Sequence, residues 1–167
     1  MTSSTLTNIR NFILLTFDQV LIFSHIHLFG YATAYVYLIF LLKLPRHTSR
    51  NALLMWGFLF GLAVDMFSNT PGINTAAATA MGFARNTFLS TFTHKGMPDD
   101  FIPGVKSLKW GSYLVYSLMC IVLFYVILFL LELFTISNLV PLLISVASST
   151  LLTMLFVVVT ECFSFRK

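Results

Sequence analysis

The chain has 167 residues, of which 57% are hydrophobic and only 10% charged, with a net charge of +4 and a mean hydropathy of +0.87. A soluble domain keeps about a quarter of its residues charged, so this chain has too little polar surface to face water and reads as an all-α integral membrane protein. The basic excess would suggest nucleic acid in a soluble protein, but in a membrane protein it records topology, and no nucleic-acid partner is expected.

Residues 1–8 form a short polar tail. After Arg10 an apolar run from Asn11 to His25 reads as a retained first span, because one arginine and no small-residue cleavage site make a poor secretory leader. The run continues through His27-Leu28-Phe29-Gly30 to Leu44. A single helix over 11–44 would be roughly 50 Å long, against a hydrocarbon core of about 30 Å, so two short spans with a corner at His27 to Gly30 fit better. The expected spans are 11–26, 30–44, 51–67, 74–92, 110–134 and 139–163, a single domain over 1–167. Arg10, Lys43, Arg46, Arg50, Lys95, Lys106, Lys109, Arg166 and Lys167 then fall on one face, and the opposite corners carry no Lys or Arg. By the positive-inside rule both termini are cytoplasmic.

The organising stretch is Gly57 to Arg85. Gly57, Gly61 and Asp65 are spaced by four, so they share one helix face and let another helix approach closely. Asp65 is read either as the last member of that contact stripe or as a capping or solvated group at the span end. Ser68-Asn69-Thr70-Pro71-Gly72 supplies turn chemistry, and Asn74 or Thr75 caps the next helix. That helix places Ala76, Ala80 and Ala84 on one stripe, with Ala78 and Gly82 beside it. These features nominate Gly57, Gly61, Asp65, Pro71, Gly72, Ala80 and Gly82 as residues for helix packing and partner contact.

Arg85 is the one basic residue inside a span, and an arginine there is costly unless paired or snorkelling. Asp18 in the first span lies at the same depth, roughly 12 Å from the same face at 1.5 Å per residue. A buried Asp18–Arg85 pair is one reading, and separate snorkelling of each is the other. Glu132 and Glu161 sit near span ends, where interfacial solvation is the default, although Glu161 could reach Arg85. His25 and His27 point to nearly opposite helix faces and cannot share a metal or haem. Tyr31, Tyr35 and Tyr37 read as packing at a span end, and the hydroxyls from Ser137 to Thr153 as mutual partners across helices. Cys120 and Cys162 have neither metal-ligand nor disulfide-framework spacing.

The longest polar connection, Thr93 to Lys109, is too short for an aqueous catalytic domain. No Gly-rich phosphate loop, HExxH or GxSxG is present. No enzyme activity, cofactor or metal is expected. A proton-coupled carrier using Asp18 and Arg85 would be expected to show an inverted repeat, and none is visible.

Gly61-Leu62-Ala63-Val64-Asp65, followed by Pro71-Gly72 and an Ala-rich helix to Arg85, resembles the signature of the rod shape-determining protein MreD family. The opening is similar too, with Gln19-Val20-Leu21, then His27-Leu28-Phe29-Gly30 and Tyr31, in the version typical of Bacteroidetes-like bacteria. The resemblance covers the whole chain in length, span count and loop sizes. It implies a non-enzymatic scaffold of the bacterial inner membrane for lateral wall elongation, acting with MreC, MreB and the elongation glycosyltransferase and transpeptidase. It also implies a fold similar to the substrate-binding components of energy-coupling-factor transporters. That kinship supplies the alternative function, a subunit binding a small molecule. Such subunits dock through Ala-x-x-x-Ala in span one, whereas this span reads NFILLTFDQVLIFSH, without alanine.

Overall fold

The structure is a computed structural model that describes residues 35–68, 70, 72–93, 101–133 and 139–165. The first expected span therefore lies outside the described residues, with Asp18, Gln19, His25, His27 and Tyr31, as does Pro71. Every described element is helical: α1 (Leu38–Lys43), α2 (Arg50–Ser68), α3 (Ile73–Phe92), α4 (Val105–Leu108), α5 (Trp110–Leu133) and α6 (Leu139–Phe165). Three of them contain stretches long and apolar enough to cross a membrane, at Arg50–Ser68, Trp110–Glu132 and Leu143–Phe163. Helix α3 is as long as α2 but more polar, since it carries Asn74, Thr75, Thr79, Arg85, Asn86, Thr87, Ser90 and Thr91.

Local chemistry sets the boundaries. Ser49 starts α2 by accepting the Ala52 N–H on its hydroxyl at 3.3 Å, a capping arrangement that satisfies an otherwise orphaned donor. Gly72 precedes α3 with φ at 79°, a left-handed conformation that costs an L-residue roughly 1–2 kcal/mol and glycine almost nothing. Ser107 closes the first turn of α4, accepting the Gly104 N–H at 3.0 Å and donating to the Ile102 carbonyl at 2.8 Å. Lys109, at φ 64°, separates α4 from α5. Of the second expected span, the described part is regular helix only over six residues, Leu38–Lys43. Tyr35 to Tyr37 lead into it through tighter i→i+3 turns, with Leu38, Ile39 and Phe40 donating to the Tyr35, Val36 and Tyr37 carbonyls. At 1.5 Å per residue α1 is about 9 Å long and cannot cross a bilayer.

In space the helices run α2, α3, α5, α6, each packed on the next, and α1 is tucked against α2, α3 and α5. Its Leu38, Leu41 and Leu42 are completely buried. Aromatic rings fill the centre. Tyr37 stacks on Phe60 at 5.4 Å, and Tyr35 meets Phe124 edge-on at 5.3 Å. Phe40 bridges Phe60 at 5.1 Å and Trp56 at 5.4 Å. Each such pair adds about 0.5–1.5 kcal/mol beyond its buried area. The outer faces are apolar as well: Met55, Met66, Leu143, Leu151 and Phe163 are all more than half exposed. Many large apolar side chains exposed on the outer faces suit a lipid solvent and are uncommon on soluble monomers.

The tightest helix pair is α2 on α3. A methyl group on Gly61 would come within 2.6 Å of the Asn74 carbonyl oxygen, and one on Gly57 within 2.6 Å of the Ala78 oxygen. From the other side, a Gly82 methyl would lie 2.9 Å from the Leu53 oxygen. The glycine face of α2 is thus filled by α3 of the same chain. The stripe that α3 buries is also not Ala76-Ala80-Ala84 but Asn74, Ala77, Ala78, Met81, Gly82, Arg85 and Leu89. Gly61→Val should therefore break the hairpin itself, at a cost of at least about 1–3 kcal/mol from overpacking. The check is unfolding in mixed detergent micelles with increasing sodium dodecyl sulfate, where an unchanged midpoint would refute the packing assignment.

Candidate functional site

The buried polar groups of the α2–α3 hairpin gather towards its two ends. At the corner end, Asp65 is 8% exposed, near the C-terminus of α2 and facing the start of α3. Its Oδ1 accepts from Thr70 Oγ1 at 2.7 Å and from the Asn74 backbone N–H and side-chain amide, each at 3.0 Å. Its Oδ2 accepts from the Thr75 N–H at 2.8 Å and the Thr75 hydroxyl at 2.6 Å. The first N–H groups of a helix have no intrahelical partner, and Gly72 offers no side chain to take them. Asp65 acts as the cap of α3 from the preceding helix. Asn74 and Thr75, expected to cap that helix themselves, are the donors instead. A carboxylate at this end also meets the positive pole of the helix dipole.

At the opposite end, Arg85 is completely buried. Nε donates to the Tyr116 hydroxyl at 3.0 Å. Nη1 donates to Asn86 Oδ1 at 3.1 Å and the Pro45 carbonyl at 3.5 Å. Nη2 donates to the Leu42 carbonyl at 3.2 Å and to the Leu44 carbonyl. A guanidinium has five N–H donors in a planar fork, and five neutral acceptors receive them. Three are carbonyls where α1 ends, because Pro45 prevents the helix from continuing and leaves its last carbonyls without partners. Tyr116, packed on Arg85, also donates to the Leu42 carbonyl at 3.4 Å. The other member of the expected Asp18–Arg85 pair lies outside the described residues.

Glu161 departs from expectation. It is 5% exposed and reaches neither bulk water nor Arg85. Its Oε1 lies 2.8 Å from Lys43 Nζ, an ionic contact without directed hydrogen-bond geometry. Its Oε2 accepts the Val105 N–H at 3.2 Å. Arg46 N donates to the Phe101 carbonyl at 3.1 Å. Residues 42–46, where the second expected span ends, are therefore gripped by α3, α5, α6 and the 101–105 segment.

The other nominated residues are placed as follows. Gly57, Gly61 and Gly82 lie in the α2–α3 contact, and Gly72 opens α3. Ala80 looks away from it into an outer groove between the same helices. Of the α6 hydroxyls, Thr153 bonds Tyr125 across to α5 at 2.6 Å, Ser148 turns back to the Ser145 carbonyl, and Thr150 Oγ1 is buried without a hydrogen-bond partner among the described residues. Cys120 is buried and Cys162 exposed. Among the described residues, no three His, Cys, Asp or Glu side chains come together. Tyr116, Asn86 and the 42–45 carbonyls were missed because main-chain acceptors have no residue signature; Pro45 was the available signal that a helix ends there. The Lys43–Glu161 contact joins positions 118 residues apart, and only the expected placement of both span ends on one membrane face hints at it.

No protein-family model, no curated protein and no solved structure matches the chain.

Two substitutions test the clusters. Asp65→Asn halves the acceptor capacity and turns an amide toward donors, so it should cost about 1–3 kcal/mol in micellar unfolding; wild-type behaviour would refute the capping role. Arg85→Lys keeps the charge but has three donors on a point, and losing two or more charge-assisted bonds should cost at least about 3 kcal/mol. Full tolerance of lysine would show that charge alone, rather than the fork, is what the cluster needs.

Proposed function

We propose that this chain is a non-enzymatic scaffold of the bacterial cell-elongation machinery, crossing the inner membrane six times with both termini in the cytoplasm. In this reading it binds MreC, and with it MreB, the elongation glycosyltransferase and the transpeptidase. The resemblance of residues 61–85 and 19–31 to the MreD family motivates the proposal. The observation that carries it is the disposition of Asp65 and Arg85, the two ionisable residues of the resembling stretch. Both direct their hydrogen-bonding groups at neighbouring helix ends, so they hold shape rather than face a substrate. The corner that Asp65 braces carries Met66 and Phe67, 76% and 67% exposed. Two large exposed apolar side chains beside that corner suit a partner helix or an extracytoplasmic segment of MreC.

Because Gly61 is enclosed by α3, partner capture is better probed at the corner than on the glycine face. Co-purification with MreC in mild detergent should recover a complex, and Met66→Ser with Phe67→Ser should lower recovery at least about fivefold while leaving the unfolding midpoint unchanged, as expected for exposed contact residues. Failure to recover MreC, together with a small molecule retained by the isolated chain, would replace the scaffold with the transporter-subunit reading.

A further inference from the structure

The outer face of the α2–α3 hairpin carries a groove of about 710 Å³. One wall is Leu54, Phe58 and Leu62, and the other is Ala76, Ala80 and Phe83. The floor presents no free donor: Thr75 bonds Asp65, and Thr79 donates to the Thr75 carbonyl at 2.7 Å. At one end the Arg50 guanidinium lies over the Phe83 ring, 4.9 Å from its centroid. Arg50 continues the Leu54-Phe58-Leu62 stripe by one turn, so a cation stands at the mouth of an otherwise apolar channel. The described carboxylates are engaged elsewhere, Asp65 at the corner and Glu161 with Lys43, or, like Glu132, lie at the far end of α5.

We propose that this groove binds one anionic phospholipid, with an acyl chain along Leu54, Phe58 and Leu62 and the phosphate at Arg50. Charge complementarity identifies the occupant. An exposed arginine at the membrane boundary, without a carboxylate partner among the described residues, matches an anionic headgroup. Length agrees: from Arg50 to Leu62 is twelve residues of helix, about 18 Å, comparable with one leaflet of a hydrocarbon core about 30 Å thick. A helix crossing the bilayer would need nearly twice that. The small side chains of Ala76 and Ala80 leave room for a chain of methylenes against an aromatic and aliphatic wall. The assignment is independent of which proteins the chain binds.

The test is native mass spectrometry of the whole protein from micelles containing equal phosphatidylglycerol and phosphatidylethanolamine. The wild type should retain phosphatidylglycerol preferentially, one molecule per chain. Arg50→Gln should cut that retention about fivefold, as expected for one cation at an anionic surface, with phosphatidylethanolamine unaffected and Arg50→Lys partly restoring the preference. Ala76→Phe, which fills the groove from an exposed position, should reduce both lipids; Ala80→Leu substitutes for it should that variant not fold. Equal phosphatidylglycerol retention by wild type and Arg50→Gln would overturn the proposal. So would undiminished lipid in the filled groove. A dimer that Ala76→Phe abolishes, with no lipid bound to the wild type, would assign the groove to a second copy and equally overturn it.

Discussion

A buried guanidinium holding the end of a helix is the constraint on which the rest of the bundle depends. In a medium without water, each unsatisfied carbonyl or N–H costs several kcal/mol, so a helix that stops inside the bundle needs acceptors and donors brought to it. Helix α1 stops there because Pro45 follows closely. Arg85 answers the carbonyls of Leu42, Leu44 and Pro45, and that fixes where α3 sits relative to α1. Tyr116 carries the same network into α5. A buried charge, normally expensive, is tolerated because all five donors are occupied.

The corner cluster is the same solution with the sign reversed. Asp65 supplies acceptors to the orphan N–H groups at the start of α3, as Arg85 supplies donors to the orphan carbonyls at the end of α1. Between these clusters the glycines set the distance. With Gly57 and Gly61 against the Ala78 and Asn74 carbonyls, the α2 and α3 backbones approach closely enough for the Asp65 carboxylate to reach Thr75. A larger residue at Gly61 would separate the backbones and pull the carboxylate away from the helix it caps. Packing and polar satisfaction are therefore one requirement.

Lys43 and Glu161 extend this logic to the C-terminal part of the chain. Helix α6 buries a face spaced by four, Ser145, Ser149, Thr153, Val157 and Glu161, which ends at α1 and at the start of α4. Residues 42–46 consequently touch helices drawn from most of the chain. The 42–46 segment is in this way tied by hydrogen bonds or an ion pair to α3, α5, α6 and the segment before α4.

The sequence by itself determined the helical class, the membrane environment, and the positions of the long helices near 51–67, 74–92, 110–134 and 139–163, because these follow from local composition and from turn residues such as Pro71-Gly72. It also marked Asp65 and Arg85 as unusual, since an ionisable residue in an apolar run stands out without any structure. Tertiary structure alone decided what those residues touch. The acceptors of Arg85 are mostly backbone carbonyls some forty positions away, the cap of α3 comes from the helix before it, and Glu161 meets Lys43 across 118 positions. Period and composition identify which face of a helix is small or apolar. They do not carry the identity of the neighbour that fills it, because that depends on backbone groups every residue shares.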